Sequence, residues 1–128
     1  MMKSGEYYIG DLCYVMHDAW NEVCDLIFPE RAQRGLEGEF SLKDGRRFAL
    51  YNTNHGDGTY KTDSDSVCFV DSGTIGCIMK SQIKDFSYDD EQLKNMAVFH
   101  TFDEPFQTRA DIVGREKIIR FGNFNVYT

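Results

Sequence analysis

Only one long segment of the chain carries a helical period, and that constrains the fold class more than any other feature. Met16, Ala19, Trp20, Val23, Cys24 and Ile27 recur at i, i+3, i+4, i+7, i+8 and i+11, which places them on one face of an α-helix. Asn21, Glu22 and Asp25 fall on the opposite face, toward water. Asp18 stands where a side-chain oxygen can accept from the free N–H groups of a first turn. Pro29 has no N–H to continue the ladder, so the helix is expected over about residues 16–28.

Elsewhere the period is mostly that of strands between turn residues. Glu6–Ile9 reads as a short strand stopped by Gly10-Asp11. Gly38–Leu42 alternates, Asp44-Gly45 supplies a tight turn, and Arg47–Thr53 returns, which sets Phe40 opposite Ala49 and Leu42 opposite Arg47. Val67–Val70 and Thr74–Met79 flank Asp71-Ser72-Gly73, a second hairpin signal that sets Val70 against Ile75 and Cys68 against Cys77. Cys68–Val70 is apolar on both faces, as expected of a central strand covered on two sides. Asp89–Met96 opens with acids and predicts a short helix. Ala97–Phe102 predicts a strand ended by Glu104-Pro105, and Lys117–Thr128 two strand-like runs split by Gly122-Asn123. The sum is an α+β chain: a twisted, mostly antiparallel sheet or partly closed barrel with one amphipathic helix packed on it.

At 128 residues the expectation is a single domain over 1–128 with enough chain for a real core. Hydrophobic residues are 41% and aromatics 14%, too apolar for a disordered tail and too polar for a membrane protein. Twenty-one acids against 14 bases give a net charge of −7, which leaves no basic face for direct nucleic-acid binding. Met1–Glu6 turns polar at once and no run approaches the ~18 apolar residues of a membrane span, so a cytoplasmic location is expected. In that reducing compartment Cys13, Cys24, Cys68 and Cys77 are expected as buried thiols.

The densest polar cluster is Asn52–Tyr60, in which glycines let backbone approach a ligand and exposed N–H groups can hold an anion. His55 and Asp57 are its candidate acid and base, against the plain alternative of a turn between strands. No Gly-Lys-Ser/Thr follows, so it is not a P-loop, and without the glycine spacing and a following helix it is not a dinucleotide fingerprint. Cys68 and Cys77 lack two further ligands at zinc spacing, and His17, His55 and His100 are scattered. Asp57, Asp63 and Asp65 lack the EF-hand spacing, so no metal and no cofactor is expected. Cys13 precedes the helix, where a thiolate is stabilised if it meets free N–H groups; the alternative is a buried residue locking helix to sheet.

Asp71-Ser72-Gly73-Thr74, after Phe69-Val70, resembles the Asp-Ser/Thr-Gly motif of aspartic proteases. Ile112-Val113-Gly114-Arg115 is similar to the hydrophobic-hydrophobic-Gly element that supports that loop in the retroviral branch. That chemistry needs two carboxylates sharing a proton, one Asp71 from each subunit of a homodimer. The spacing departs from the pattern: about seventy residues precede Asp71, and no Gly-rich flap lies between the motifs.

Gly10-Asp11-Leu12-Cys13-Tyr14, Trp20, Gly56-Asp57-Gly58-Thr59-Tyr60 and Val70-Asp71-Ser72-Gly73-Thr74-Ile75-Gly76 together resemble an uncharacterised family of small bacterial and phage proteins. The resemblance covers residues 7 to 80 and implies a cytoplasmic protein, including a phage accessory factor acting inside the host cell. It implies no catalytic residue, cofactor or substrate.

The reading that follows is a binding protein rather than an enzyme. Its loops at Gly10–Tyr14, Asn52–Tyr60 and Asp71–Gly76 are expected to converge at one end of the sheet around a pocket. Asp11, Tyr14, His55, Asp57, Tyr60, Asp71 and Ser72 are the candidate contacts. The partner is a small polar, nucleotide-like ligand or a host protein. A phosphate would have to draw on backbone N–H groups and on Arg46, Arg47 or Arg109. The alternative is a dimeric aspartic-type hydrolase built on Asp71, and the third an acidic decoy that mimics DNA.

Overall fold

Alternation along three strands decides the architecture, because each sends its side chains into two different cores. In a computed structural model that describes residues 1–29 and 35–128, β1 (Gly5–Gly10), β3 (Arg47–Asn52) and β6 (Thr74–Met79) are central in a five-stranded sheet. β2 (Gly38–Ser41) and β7 (Val98–Phe102) form its edges, in the order β2-β3-β6-β1-β7. Tyr8, Phe48, Leu50 and Ile78 point to one side and pack with Val23 and Ile27 of helix α1 (Trp20–Ile27). Tyr7, Ile9, Ala49, Tyr51, Ile75 and Cys77 point to the other side, into a second core.

The far wall of that second core is another five-stranded sheet. It is built from β4 (Gly58–Thr62), β5 (Val67–Val70), β8 (Thr108–Val113), β9 (Glu116–Phe121) and β10 (Phe124–Tyr127), in the order β5-β4-β10-β9-β8. It contributes Tyr60, Cys68, Val70, Ile119, Phe121, Phe124 and Val126. All strand pairs are antiparallel. The described residues thus form three layers, a helical layer on a sheet on a sheet, which is α+β. The single sheet or partly closed barrel expected from sequence is replaced by two stacked sheets.

Two glycines let the helical layer sit close. Gly10 and Gly76 are paired across β1 and β6. A Cβ on Gly76 would lie 2.6 Å from Leu12 Cδ1 and collide with the Ala49 carbonyl, and one on Gly10 would lie 2.5 Å from Ala97 Cβ. The bare backbone is what allows the Leu12 turn and Ala97 to lie on the sheet.

Several local expectations need correction. The helix is shorter than 16–28: a 3-10 turn over His17–Ala19 leads into α1, and Ala19 is the cap position, with no side-chain cap bond. Asp18 is drawn away by Arg46, a nearly buried guanidinium whose Nη2 donates to Asp18 Oδ2 at 2.9 Å and whose Nε donates to Asp44 at 3.0 Å. A guanidinium taken out of water needs carboxylates more than a helix end needs a cap. The first hairpin pairs Phe40 with Phe48 and Ser41 with Arg47, one residue off the expected register. Its loop has three residues, Lys43–Gly45, with Leu42 and Arg46 bonded across it and Gly45 at φ +97.

The Asp71–Gly73 turn closes no hairpin. β5 pairs with β4, and β6 pairs with β1 and β3, so the turn carries the chain from one sheet to the other. Val70 does not face Ile75, nor Cys68 Cys77; both thiols are free and buried in the inter-sheet core. β5 is an edge strand with Phe69 42% exposed, and the strands covered on two sides are the central ones of the other sheet, β1, β3 and β6. The short acidic helix is α2 (Asp90–Lys94), closed by a capping box between Asp89 and Gln92. β8 had no counterpart in the sequence reading. It forms a hairpin with β9 around Gly114-Arg115, and Gly122-Asn123 joins β9 to β10.

Candidate functional site

The three loops expected to converge do meet, and Asp11 is the reason. β1 ends at Gly10, and Asp11 caps the 3-10 turn Leu12–Tyr14 by accepting from the Cys13 N–H at 2.9 Å. Its carboxylate is fully buried. Oδ2 accepts from the backbone N–H groups of Asp71 and Ser72, each at 2.8 Å, and Oδ1 accepts from Ser72 Oγ at 2.8 Å. A buried carboxylate is tolerable only when fully hydrogen-bonded, and four donors meet this one. Two consecutive N–H groups converging on one oxygen make the kind of concave turn that binds an anion. Here the anion is the protein's own.

The connection is doubled from outside. Tyr14 Oη donates to Asp71 Oδ2 at 2.7 Å, and the Tyr14 ring meets Tyr88 edge-on, 5.8 Å between centroids. Desolvation first, and then the Asp71 hydrogen bond, push the Tyr14 phenol well above its ordinary pKa, so it remains a donor. Ser72 Oγ also meets Thr74 Oγ1 at 2.7 Å, closing the turn on β6.

The glycine loop joins from the third side. The Thr53 N–H donates to the Gly73 carbonyl at 3.0 Å, and Thr53 Oγ1 donates to the Gly56 carbonyl at 2.6 Å. Tyr60, buried at its ring, donates its hydroxyl to the same Gly56 carbonyl at 2.8 Å. Tyr60 and Thr53 therefore shape the loop from below, while His55 and Asp57 sit exposed at its tip. The His55 ring lies against the Asn54 amide at 3.4 Å. Asn54 Nδ2 in turn donates to the Arg115 carbonyl at 2.8 Å. Among the described residues no hydrogen bond runs from His55 or Asp57 to the Asp11–Asp71 cluster.

Asp11, Tyr14, Asp71 and Ser72 are thus in direct contact. Tyr60 reaches them through Gly56, Thr53 and Gly73, and His55 and Asp57 stand apart on the rim. The convergence encloses no space in the three cavities described, which other residues line. Thr101–Arg109, Arg120, Gly122 and Asn123 line one of 700 Å³. His17–Glu22, Asp44 and Arg46 line another of 610 Å³. The third, of 60 Å³, involves Arg47. The three arginines considered as phosphate ligands are spread over these three separate places.

Cys13 does not have the environment of a nucleophile. Burial first, and then the Asp11 carboxylate, push its thiol far above the ordinary value, so it is protonated and packed. Ile112-Val113-Gly114-Arg115 is the tip of the β8–β9 hairpin, with Ile112 71% and Val113 52% exposed. The support of the Asp71 turn comes instead from Asp11, Thr53 and Tyr14. Among the described residues no group of three His, Cys, Asp or Glu side chains is placed to hold a metal ion.

Two contributors were missed in the sequence. Thr53 looked like the end of a strand, and only its place directly before a glycine loop hints at a bridging hydroxyl. Tyr88 carried no signal, since its role comes from packing on Tyr14 across 74 positions of chain. Comparison with protein-family models, curated proteins and solved structures finds no match to this chain.

Proposed function

We propose that this chain is a binding protein whose contact surface is the end where the Gly10–Tyr14, Asn52–Tyr60 and Asp71–Gly76 loops meet, and that its partner is a protein. One observation carries the reading: the paired N–H groups of Asp71 and Ser72 are already filled by Asp11. A loop awaiting a phosphate would present those donors to solvent. This one is complete without a ligand, and what it offers outward is a firm surface of Tyr14, Tyr88, Asp71, His55 and Asp57. Rigid aromatic side chains with adaptable polar neighbours suit protein contacts, because little conformational entropy is lost on docking. The net charge of −7 favours a partner with a basic surface over a nucleic acid. The resemblance to phage and bacterial proteins fits a host protein as that partner, in the cytoplasm.

Native mass spectrometry, before and after incubation with a bacterial lysate and with the same lysate stripped of protein, tests this. The expected result is a discrete protein adduct from the whole lysate that Asp57→Ala weakens while its melting curve stays close to wild type. An adduct of nucleotide mass from the stripped lysate would transfer the reading to a small polar ligand. A bare chain in both spectra would overturn it.

A further inference from the structure

β8 is the longest of the four edge strands, six residues against five in β7 and four each in β2 and β5. The β5 edge is held at its middle by the Met96 carbonyl, which accepts from the Phe69 N–H at 2.9 Å. Phe106, two residues before β8, exchanges both main-chain bonds with Met2 at 2.8 and 3.0 Å, so the open edge of β8 begins at Thr108. The register of β8 on β9 shows which of its own groups are free. Val113 pairs with Glu116 around the two-residue turn Gly114-Arg115, with Gly114 at φ +64 as the first position of a type II′ turn demands. Residues flanking such a turn exchange both main-chain bonds, and the pattern then alternates. Val113, Asp111 and Arg109 therefore bond to β9, while the N–H and C=O groups of Ile112, Ala110 and Thr108 point away from the sheet.

An edge of this kind is a template for another strand unless something blocks it. The usual block is a run of like charge, and β8 has the opposite arrangement. Arg109 and Asp111 flank Ala110 on the open face of the sheet, and both Arg109 Nε and Arg120 Nε donate to Asp111, so the group is anchored. The strand ends in Ile112 and Val113, both largely exposed.

We propose that β8 pairs antiparallel with β8 of a second copy of this chain, about a two-fold axis at Ala110. In that register Ala110 faces Ala110 of the other copy, and Thr108 faces its Ile112. These are the hydrogen-bonded positions, so every outward N–H and C=O of the strand gains a partner. Arg109 then stands opposite Asp111 of the other copy, and Asp111 opposite its Arg109. These are the non-hydrogen-bonded positions, where strands approach to about 4.5 Å and opposite charges act most directly. The charge pattern is self-complementary only in the antiparallel sense, which an isologous two-fold contact requires. Ile112 loses water on the side of the sheet that Ala110 already packs against the inter-sheet core.

The assembly joins two five-stranded sheets into one. β5 and β8 lie at opposite edges, roughly 19 Å apart across four strand spacings. The two Asp71 turns therefore stay far apart, and the loop end remains open to a different partner in each copy. This pairing does not depend on the function proposed above.

Sedimentation velocity across a concentration series tests it. Wild type is expected to pass from monomer to dimer. Ala110→Pro removes an N–H that only the second copy uses, at an edge position that tolerates proline, and should give a folded monomer. Arg109→Asp and Asp111→Arg each set like charges opposite one another and should weaken the dimer by about tenfold or more. Mixed one to one, these two variants restore both opposite pairs and should form a heterodimer. A wild-type chain that stays monomeric into the millimolar range overturns the proposal. So does a dimer indifferent to Ala110→Pro, or a mixture in which no heterodimer forms.

Discussion

The two sheets contain the same number of strands but meet different surroundings. The β2-β3-β6-β1-β7 sheet is covered on both faces, by α1 and its flanking turns on one side and by the second sheet on the other. Among the described residues the β5-β4-β10-β9-β8 sheet is covered on one face. Its other face carries a chain of polar contacts from Tyr127 and Asn125 through Asp63, and from Asn125 through Arg120 and Asp111 to Arg109. In the first sheet either parity of a strand is core, so β6 is buried at five consecutive positions. In the second, burial alternates along β4, β5 and β10, as where Phe124 and Val126 are buried and Tyr127 is exposed, while β9 departs from it with Ile118 buried beside Ile119. A sheet between two layers depends on close approach as well as apolar character, which is why its paired glycines face the helical layer.

Gly76→Val should break the contrast most severely, because the branched side chain meets Leu12 and the Ala49 carbonyl with nowhere to go. A loss of about 3 kcal/mol or more is expected in a denaturant melt. Truncation sharpens the comparison next. Phe48→Ala on the helix side and Ile75→Ala on the sandwich side should each cost about 3 kcal/mol, while in the second sheet Lys61→Ala, on its open face, should change stability by less than about 0.5 kcal/mol. An equal cost for Lys61→Ala and its inward neighbour Tyr60→Ala would contradict an open outer face.

Asp11→Ala should cost about 2–3 kcal/mol, since it strips partners from the N–H groups of Cys13, Asp71 and Ser72 at the junction of the sheets. Hydrogen exchange at Asp71 and Ser72 should accelerate in that variant, and unchanged protection there would show the turn to be held by something else.

Asp85 offers a smaller, pH-dependent effect. Burial raises its pKa, but the hydroxyl and N–H of Ser87 and the N–H of His17 outweigh that and hold it below the ordinary carboxylate value. A depressed folded value means stability present above the unfolded pKa and lost as pH falls through the folded one. Wild type should therefore exceed Asp85→Asn by about 1–2 kcal/mol at neutral pH, and the gap should close as pH drops below about 4. A gap that persists at low pH would assign the effect to packing. One further expected change is a small gain. Asp65 holds φ +59 in the β4–β5 turn, a left-handed conformation that glycine adopts freely, so Asp65→Gly should stabilise by about 0.5 kcal/mol.

Elements made by neighbours in sequence were legible. The Met16–Ile27 stripe, the alternation of Phe124–Tyr127 and the acidic start of α2 are each written within one short window. The β5–β6 connection was not, because Asp-Ser-Gly turns a chain equally well whether the strands on either side pair or part. What separates them here is the pairing of β6 with β1 and β3 and of β5 with β4, which no local window contains. β8 was missed because its Arg109 and Asp111 break the apolar pattern on a face that needs none. At the loop end, the glycines and acids marked three segments that do meet, though not around the pocket expected of them. The role of Asp11 was hidden, since a carboxylate beside a glycine reads as an exposed turn and becomes buried only through donors 60 residues away.

The position of β10 has a consequence for how the chain assembles in time. It comes tenth in sequence yet lies in the middle of its sheet, between β4 and β9. While the chain is being made, β4 and β5 can close as a hairpin, but until residues 124–127 have emerged β4 lacks its inner neighbour. Through that interval the inner faces of Tyr60, Cys68 and Val70 lack the Phe124 and Val126 side chains that help bury them. The first sheet is complete by Phe102, so the helix-covered half can form early while the other half waits. Such long-range closure belongs to the slow end of folding, milliseconds to seconds, and the half-built sandwich is the stage at which this sequence is most exposed to aggregation.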